Sequence, residues 1–144
     1  MNNYNEATKI LSERFGKDTL IQIATIQNNR PFVRTVNAYY EYGMFYVITY
    51  ALSGKMEHIK IHNEVAICGE WFTAHGIGEN IGHICAEKNL KLTTKLQKAF
   101  AAWYNNGHID ENDPNTCILC IKLTDAVLFS NGTRYNIDFL NKSA

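Results

Sequence analysis

The sequence predicts a mainly β fold, a closed or partly closed antiparallel barrel with two or three helices at its periphery. Seven segments have the alternating or β-branched character of strands, and short turns separate most of them. The regular alternation of strand and helix that indicates a parallel sheet is missing from the sequence. With 144 residues, 46% of them hydrophobic and 19% charged, the chain is expected to form one domain over residues 1–144.

The first half of the chain predicts a helix, three strands and a second helix. Apolar residues at helical spacing indicate a helix over 5–15, and Gly16 is a natural stop. Segments rich in β-branched residues, separated by turn residues, predict strands over 19–27, 32–40 and 44–50. Ser53 is the predicted N-cap of a short helix that ends near residue 62.

The second half predicts four more strands and an amphipathic helix. The strands are expected over 65–73, 76–86, 116–123 and 127–135. Three glycines in the second of these segments indicate bulges or a close approach of two backbones. One apolar face predicts the helix over 88–104, and a polar loop follows it over 105–115.

Charge and hydropathy exclude several classes of protein. Fourteen basic residues balance fourteen acidic ones, and the sequence has no basic stripe of the kind that nucleic-acid binders carry. Apolar runs are too short to span a bilayer, and the N-terminus lacks the apolar centre of a signal peptide. The protein is therefore expected to be cytoplasmic, with reduced cysteines and without contacts to nucleic acid or membrane.

Four residues around the second and third strands form the main candidate site. Arg34 lies near the start of one strand, Thr49 at the end of the next, and Ser53 and Lys55 at the start of the following helix. If the two strands pair antiparallel, Arg34 and Lys55 can face one pocket. Two cations, hydroxyl donors and helix N–H groups favour a phosphate, carried by a flat and otherwise apolar cofactor. The alternative is that both cations are ordinary surface charges.

Other polar residues are weaker candidates. His58 and His62 lie four apart on a predicted helix and share a face, which permits a metal site, although a solvated helix face is the commoner outcome. His75 is either a turn residue or a group that approaches a ligand in the barrel. Cys117 and Cys120 are expected to be structural, because strand residues three apart point to opposite faces. No metal site is predicted.

Two segments resemble a known family. They are IATIQNNRPFVRTVNAYY and MFYVITYALSGKMEHIKIHNEVAI, which contain an Arg-x-Val strand, a strand that ends in Thr, and a Ser-x-Lys before a helix. This order is similar to that of the pyridoxamine 5′-phosphate oxidase-like, flavin-binding split-barrel superfamily, nearest to its general stress protein and nitroimidazole reductase-like branch. Trp103 with its following loop, and the last two strands, fit the same pattern more loosely.

The resemblance implies a six-stranded antiparallel split β-barrel with peripheral helices that forms a homodimer, with FMN at the subunit interface. Arg34 and Lys55 would then bind the FMN phosphate, with Thr49 and Ser53 as hydroxyl donors and Gly54 at a position that is often basic. Backbone groups would line the isoalloxazine ring and the ribityl chain at Thr35, Val36, Asn37 and Tyr50. The aromatic hairpin over 39–50 is the expected contact surface for the second subunit.

The function implied by the resemblance is that of an FMN-dependent oxidoreductase. It would pass a hydride from a nicotinamide to the flavin, and then to a small electron-poor substrate. No catalytic side chain is assigned, although His75 or Tyr50 could donate a proton. Two alternatives stay open: a flavin-binding carrier or sensor without turnover, and a barrel that binds a different ligand.

Overall fold

The computed structural model describes residues 2–144 and has a closed six-stranded antiparallel barrel with one additional strand. The strands are β1 (Thr19–Gln27), β2 (Arg30–Glu41), β3 (Met44–Tyr50), β4 (Glu64–Gly69), β5 (Phe72–His83), β6 (Thr116–Ser130) and β7 (Thr133–Asp138). The helices are α1 (Asn3–Phe15), α2 (Gly54–Ile61) and α3 (Leu90–Ala99), with a 3₁₀ turn at Glu87–Asn89 and a π turn at Tyr104–His108. The predicted fold class, a mainly β split barrel with peripheral helices, is confirmed.

The long strand β6 closes the barrel. The strands follow the order β3-β2-β1-β4-β5-β6, and β6 also pairs with β3, so that these six strands form a ring. The first half of β6 pairs with β3, from Thr116 opposite Tyr50 to Lys122 opposite Met44. Its second half pairs with β7 instead. The first half of β6 thus completes the barrel, and its second half holds the additional strand β7.

The barrel opens between β2 and β3. Within residues 2–144, these two strands form ladder pairs only next to their turn, from Glu41 opposite Met44 to Tyr39 opposite Tyr46. Further from the turn, β2 stays paired with β1 while β3 stays paired with β6. Because β2 stays with β1 and β3 stays with β6, the two strands diverge. The backbone groups on their facing edges therefore no longer form hydrogen bonds with each other.

The core has two parts. Inside the barrel, the rings of Phe15, Phe45 and Phe72 pack with centroids 5.3–6.1 Å apart, and Phe15 belongs to the apolar face of α1. A second cluster lies under α3, where Leu96 and Phe100 pack with residues of β3 and β6. Burial of an apolar side chain of this size stabilises a protein by about 2 kcal/mol. α1 and α3 are therefore fixed to the barrel by their apolar faces.

Several element boundaries differ from the prediction, and the strand expected over 76–86 is β5, which begins earlier, at Phe72, and ends at His83. The segment expected as one strand over 65–73 contains a turn between Gly69 and Phe72, where Trp71 has a positive φ of 52°. The turn between the last two strands lies at Asn131-Gly132, and not near residue 125. A register shift opposite His75 accommodates Thr124 as an extra residue, so β6 continues through this position. The helix expected over 88–104 stops at Ala99. No helix within residues 2–144 is long and apolar enough to cross a membrane.

Candidate functional site

A cavity of about 560 Å³ lies where β2 and β3 diverge. β2 contributes Val36 and Asn37 to its wall, and β3 contributes residues 47–50. Lys55 of α2 and the segment after α3 complete the wall. The backbone edges that face the cavity have lost their ladder partners, so their N–H and C=O groups are available to a ligand.

An aspartate joins two walls of this cavity. Asn37 Nδ2 donates to Asp18 Oδ1 at 2.9 Å, and Trp103 Nε1 donates to Asp18 Oδ2 at 3.0 Å. Trp103 also packs against Phe100, with ring centroids 4.8 Å apart. The Trp103 ring is therefore fixed relative to β2, although the two residues that Asp18 joins are far apart in the sequence.

Lys55 lies in the first turn of α2, next to two hydroxyl groups. Its Nζ donates to Thr49 Oγ1 and, at 3.4 Å, to Ser53 Oγ. Ser53 is the N-cap residue, but its side chain makes no capping hydrogen bond, so the first N–H groups of α2 lack a side-chain cap. Burial and, to a smaller extent, the positive charge of Arg34 lower the pKa of Lys55. A negatively charged ligand would relieve both effects.

Arg34 is the second cation. Its Nη1 donates to Thr25 Oγ1 at 2.7 Å, to the carbonyl of Ile23 at 3.2 Å and to that of Phe32 at 3.4 Å. Partial burial lowers the pKa of Arg34. Because these bonds all use Nη1, the Nε and Nη2 groups are the remaining donors. The ion pairs found within residues 2–144 are His75–Asp125 and Lys95–Glu41, so neither Arg34 nor Lys55 has a carboxylate partner there.

The structure brings together most of the residues that the sequence singles out. Five of them line the cavity: Val36, Asn37, Thr49, Tyr50 and Lys55. Ser53 lies beside Lys55, and an added Cβ at Gly54 would meet no atom within 4 Å. Arg34 is not among the residues that line the cavity, but its charge acts on Lys55. The side chain of Thr35 instead accepts a hydrogen bond from Gln22 on β1. Thr35 can therefore contribute to the cavity only through its backbone.

The histidine hypotheses are not supported by the geometry. His58 is buried beside Thr25, whereas His62 is exposed, so the two do not share an open helix face. His75 lies on the outside of the barrel, where its Nδ1 is 2.9 Å from Asp125 Oδ1. It is not among the residues that line the cavity. Helical spacing alone could not reveal that one histidine of the pair faces the barrel interior.

Sequence reasoning missed the wall that follows α3. Six of its residues line the cavity: Trp103, Asn106, His108, Ile109, Asp110 and Asp113. The sequence predicts only a polar loop after residue 104, and nothing in that pattern shows which element the loop covers. Asp110 and Asp113 accept hydrogen bonds from backbone N–H groups two residues further on, which holds their carboxylates within the loop.

Comparisons with known proteins identify the fold. No family model and no curated protein matches the sequence. Among solved structures, a protein of Clostridium acetobutylicum related to general stress protein 26, of the pyridoxinephosphate oxidase family, is similar with a TM-score of 0.64 and 13% identity. The match covers 96% of each chain.

Two further structures are similar. A FAD-binding protein of Mesorhizobium loti matches with a TM-score of 0.62 and 14% identity, over 85% of this chain and 90% of the other. A heme binding protein of Mycobacterium smegmatis matches with a TM-score of 0.71 and 11% identity, over 99% of this chain and 60% of the other. At these identities the likeness establishes the fold, and what a ligand would contact has to be argued from the residues of this chain.

Proposed function

We propose that this chain, which has the split-barrel fold of the pyridoxamine 5′-phosphate oxidase-like superfamily, binds FMN in the cavity between β2 and β3. The observation that carries the proposal is the pair of cations, Arg34 on β2 and Lys55 in the first turn of α2. Both are partly buried, both have lowered pKa values, and Arg34 disfavours the charge on Lys55. Two such cations repel each other, and an anion beside them would stabilise the charge of both.

The two cations and the first turn of α2 together fit one phosphomonoester group. Arg34 offers the fork of Nε and Nη2, and Lys55 offers a point charge between the hydroxyls of Thr49 and Ser53. The first N–H groups of α2 add donors and the positive end of the helix dipole. Gly54 leaves open space beside them. These groups suit the single phosphate of FMN.

The rest of the cavity suits the ring and the ribityl chain. The unpaired backbone edge of β2 at Val36 and Asn37 offers hydrogen bonds to a flat heterocycle, Tyr50 lines the same cavity, and Trp103 offers an aromatic wall. The similar protein of Mesorhizobium loti is described as FAD-binding, which supports a flavin. A single phosphate site favours FMN over the dinucleotide.

FMN, when bound, would supply hydride chemistry. The residues of this chain would bind it, orient it and exclude water from the cavity. We infer an oxidoreductase that takes electrons from a nicotinamide and reduces a small electron-poor substrate. His75 is too far outside the cavity wall to serve as a proton donor there, whereas Tyr50 lines the cavity. A flavin carrier or sensor without turnover is the alternative.

We also propose a homodimer with FMN at its interface. The aromatic hairpin is a poor contact surface, because Tyr40, Phe45 and Tyr46 are buried in the two cores. The outer face of β1 and β2 is a better one, because Leu20 and Val33 are more than half exposed there. β2 belongs both to this face and to the cavity, so a second subunit on it would lie close to the ligand.

A heme site is a second candidate, favoured by one observation. The cavity wall includes the exposed residue His108, whose imidazole would be the group that holds the iron of a bound heme. The similar protein of Mycobacterium smegmatis is described as heme binding. Two cations near the cavity would then face the propionates of the heme.

The visible absorption spectrum of the purified protein tests both candidates. After FMN is added and the protein is desalted, we expect the visible absorption bands of a flavin to remain, at ~1 equivalent per chain. Lys55→Met should lower the retained FMN, whereas Lys60→Met, an exposed lysine on the same helix, should not. A Soret band after addition of hemin, without retained FMN, would support heme instead. Oxidation of a reduced nicotinamide would then separate an enzyme from a carrier.

A further inference from the structure

Behind Arg34, two buried polar side chains form a chain of hydrogen bonds from β2 to α2. Arg34 Nη1 donates to Thr25 Oγ1 at 2.7 Å, and Thr25 Oγ1 lies 2.8 Å from His58 Nδ1. Thr25 is 1% exposed and His58 is 6% exposed. Polar groups buried this deeply are stable only when their hydrogen bonds are made, so the three side chains form one unit.

The Arg34–Thr25 bond has a fixed direction, because a guanidinium can only donate, so the Thr25 oxygen accepts. The Thr25 hydroxyl keeps its hydrogen and a second lone pair, so the direction of its bond to His58 Nδ1 depends on which ring nitrogen carries the hydrogen. We infer that Nδ1 is the acceptor and that the ring hydrogen lies on Nε2, since this arrangement gives the Thr25 hydroxyl hydrogen an acceptor. The ring of Phe32 packs against His58 with centroids 5.0 Å apart, which fixes the orientation of the imidazole.

This chain of bonds connects Arg34 to the helix that carries Lys55. His58 lies three residues after Lys55 on α2, so both side chains are on one side of the helix. Lys55 is joined to β3 through Thr49, and Arg34 is joined to α2 through Thr25 and His58. The position of α2 thus sets the places of both cations.

We propose that Thr25 and His58 are positioning residues that hold the Arg34 guanidinium toward the phosphate, and so make the site selective for phosphorylated over unphosphorylated flavins. This inference rests on the proposed FMN function. With Nη1 bound to Thr25, the Nε and Nη2 edge is the part of Arg34 left to a phosphate. An arginine without these partners would have many more rotamers, and ordering it would cost part of the binding free energy.

The test is the ratio of the riboflavin Kd to the FMN Kd, measured by flavin fluorescence titration. Thr25→Val keeps the shape of the side chain and removes the hydroxyl, and we expect the ratio to fall by about tenfold. Thr25→Ser restores the hydroxyl and should restore the ratio. Thr93→Val is the matched control, because Thr93 is also buried and donates to the Ile84 carbonyl at 2.5 Å under α3. It should leave the ratio unchanged.

The outcomes separate this inference from the proposed function. If the wild type prefers FMN and Thr25→Val keeps the same ratio, the positioning role is overturned and FMN binding stands. If the wild type binds both flavins equally or neither, the phosphate site itself is overturned, and the positioning role with it. The ¹⁵N NMR spectrum of His58 in the wild type needs no variant. An unprotonated Nδ1 supports the proposed bonds, and a protonated Nδ1 contradicts them.

Discussion

Among single residues, His75 has a charge that depends on a neighbouring strand. Its hydrogen bond to Asp125, and then the negative charges of Asp125 and Glu64, raise the pKa of His75 above its usual value, against a smaller opposing effect of burial. The folded protein therefore binds this proton more tightly than the unfolded chain does. The stabilisation is fully present below the unfolded pKa of ~6.5, and it is lost as pH rises through the folded pKa.

We expect Asp125→Asn to lower the free energy of unfolding at about pH 5.5 by less than about 1 kcal/mol, because both side chains are more than half exposed. At about pH 8.5 the loss should be smaller, since His75 is then neutral. Urea denaturation at the two pH values measures the difference. His75→Gln is the control background, in which Asp125→Asn should have no pH-dependent effect. Equal losses at both pH values in the wild-type background would contradict the ion pair.

Residues differ in how far the sequence can reveal their roles. Arg34 and Lys55 could be singled out because they flank a hairpin whose turn is evident from Tyr42-Gly43. The pairing of Thr25 with His58 could not be found in this way, because their contact joins residues 33 positions apart and the helical spacing groups His58 with His62 instead. Such a contact depends on how α2 packs against β1, which local patterns do not encode.

Among elements, β5 and β6 approach each other closely at Gly76. An added Cβ there would lie 2.7 Å from Ile121 Cγ2 and 2.9 Å from the Lys122 carbonyl oxygen. We therefore expect Gly76→Ala to lower the free energy of unfolding by about 1–3 kcal/mol, because the backbone of β6 has to move. Gly54→Ala is the comparison, since open space surrounds that position in the first turn of α2. Thermal denaturation should show a lower Tm for Gly76→Ala alone.

Asp18 helps to hold the segment after α3 over the cavity, through its hydrogen bond to Trp103. We expect Asp18→Ala to release Trp103 from β2 and to make its ring more accessible, because both hydrogen bonds that Asp18 accepts are lost. In a Trp71→Phe background, Trp103 is the only tryptophan, so acrylamide quenching reports on it directly. Quenching should increase in Asp18→Ala and stay unchanged in Glu13→Ala, an exposed carboxylate of α1. Equal quenching in both would show that packing alone holds Trp103.

Element boundaries were predictable where turn chemistry is distinctive. β1 and β3 have the predicted bounds, because Asn28-Asn29 and Tyr42-Gly43 form turns with positive φ at both residues. The turn at Asn131-Gly132 has the same geometry and the same kind of sequence signal, yet the predicted boundary falls at the polar pair Thr124-Asp125 instead. A bulge accommodates that pair within β6, and a bulge leaves no clear mark in one sequence.

At the scale of the whole molecule, the class of fold was predictable but the cavity was not. Strand number and turn spacing indicate an antiparallel barrel. The gap between β2 and β3 arises from the pairing of β3 with β6, two strands separated by half of the chain. The wall formed by the segment after α3 depends on the same long-range arrangement. The family resemblance points to the β2 and β3 side of the cavity, but not to the wall after α3.

The proposed dimer makes a prediction about the outer face of the barrel. An apolar groove of about 310 Å³ crosses this face, lined by Val33 of β2 with residues of β1, β4, β5 and β6. Val33 is 69% exposed, and an exposed apolar residue in such a groove is typical of a subunit contact. A carboxylate at this position would lose its hydration in the dimer, which costs several kcal/mol unless a cation pairs with it.

Val33→Glu should therefore convert the protein from dimer to monomer at micromolar concentration, as measured by light scattering. Leu140→Glu is the matched control, because Leu140 is 70% exposed and lies in the chain after β7, where the same substitution should leave the dimer intact. Because β2 forms both this face and the cavity wall, we expect Val33→Glu also to lose FMN on desalting. A wild-type monomer that retains FMN would mean that one subunit completes the site, and that the exposed face of β2 serves another purpose.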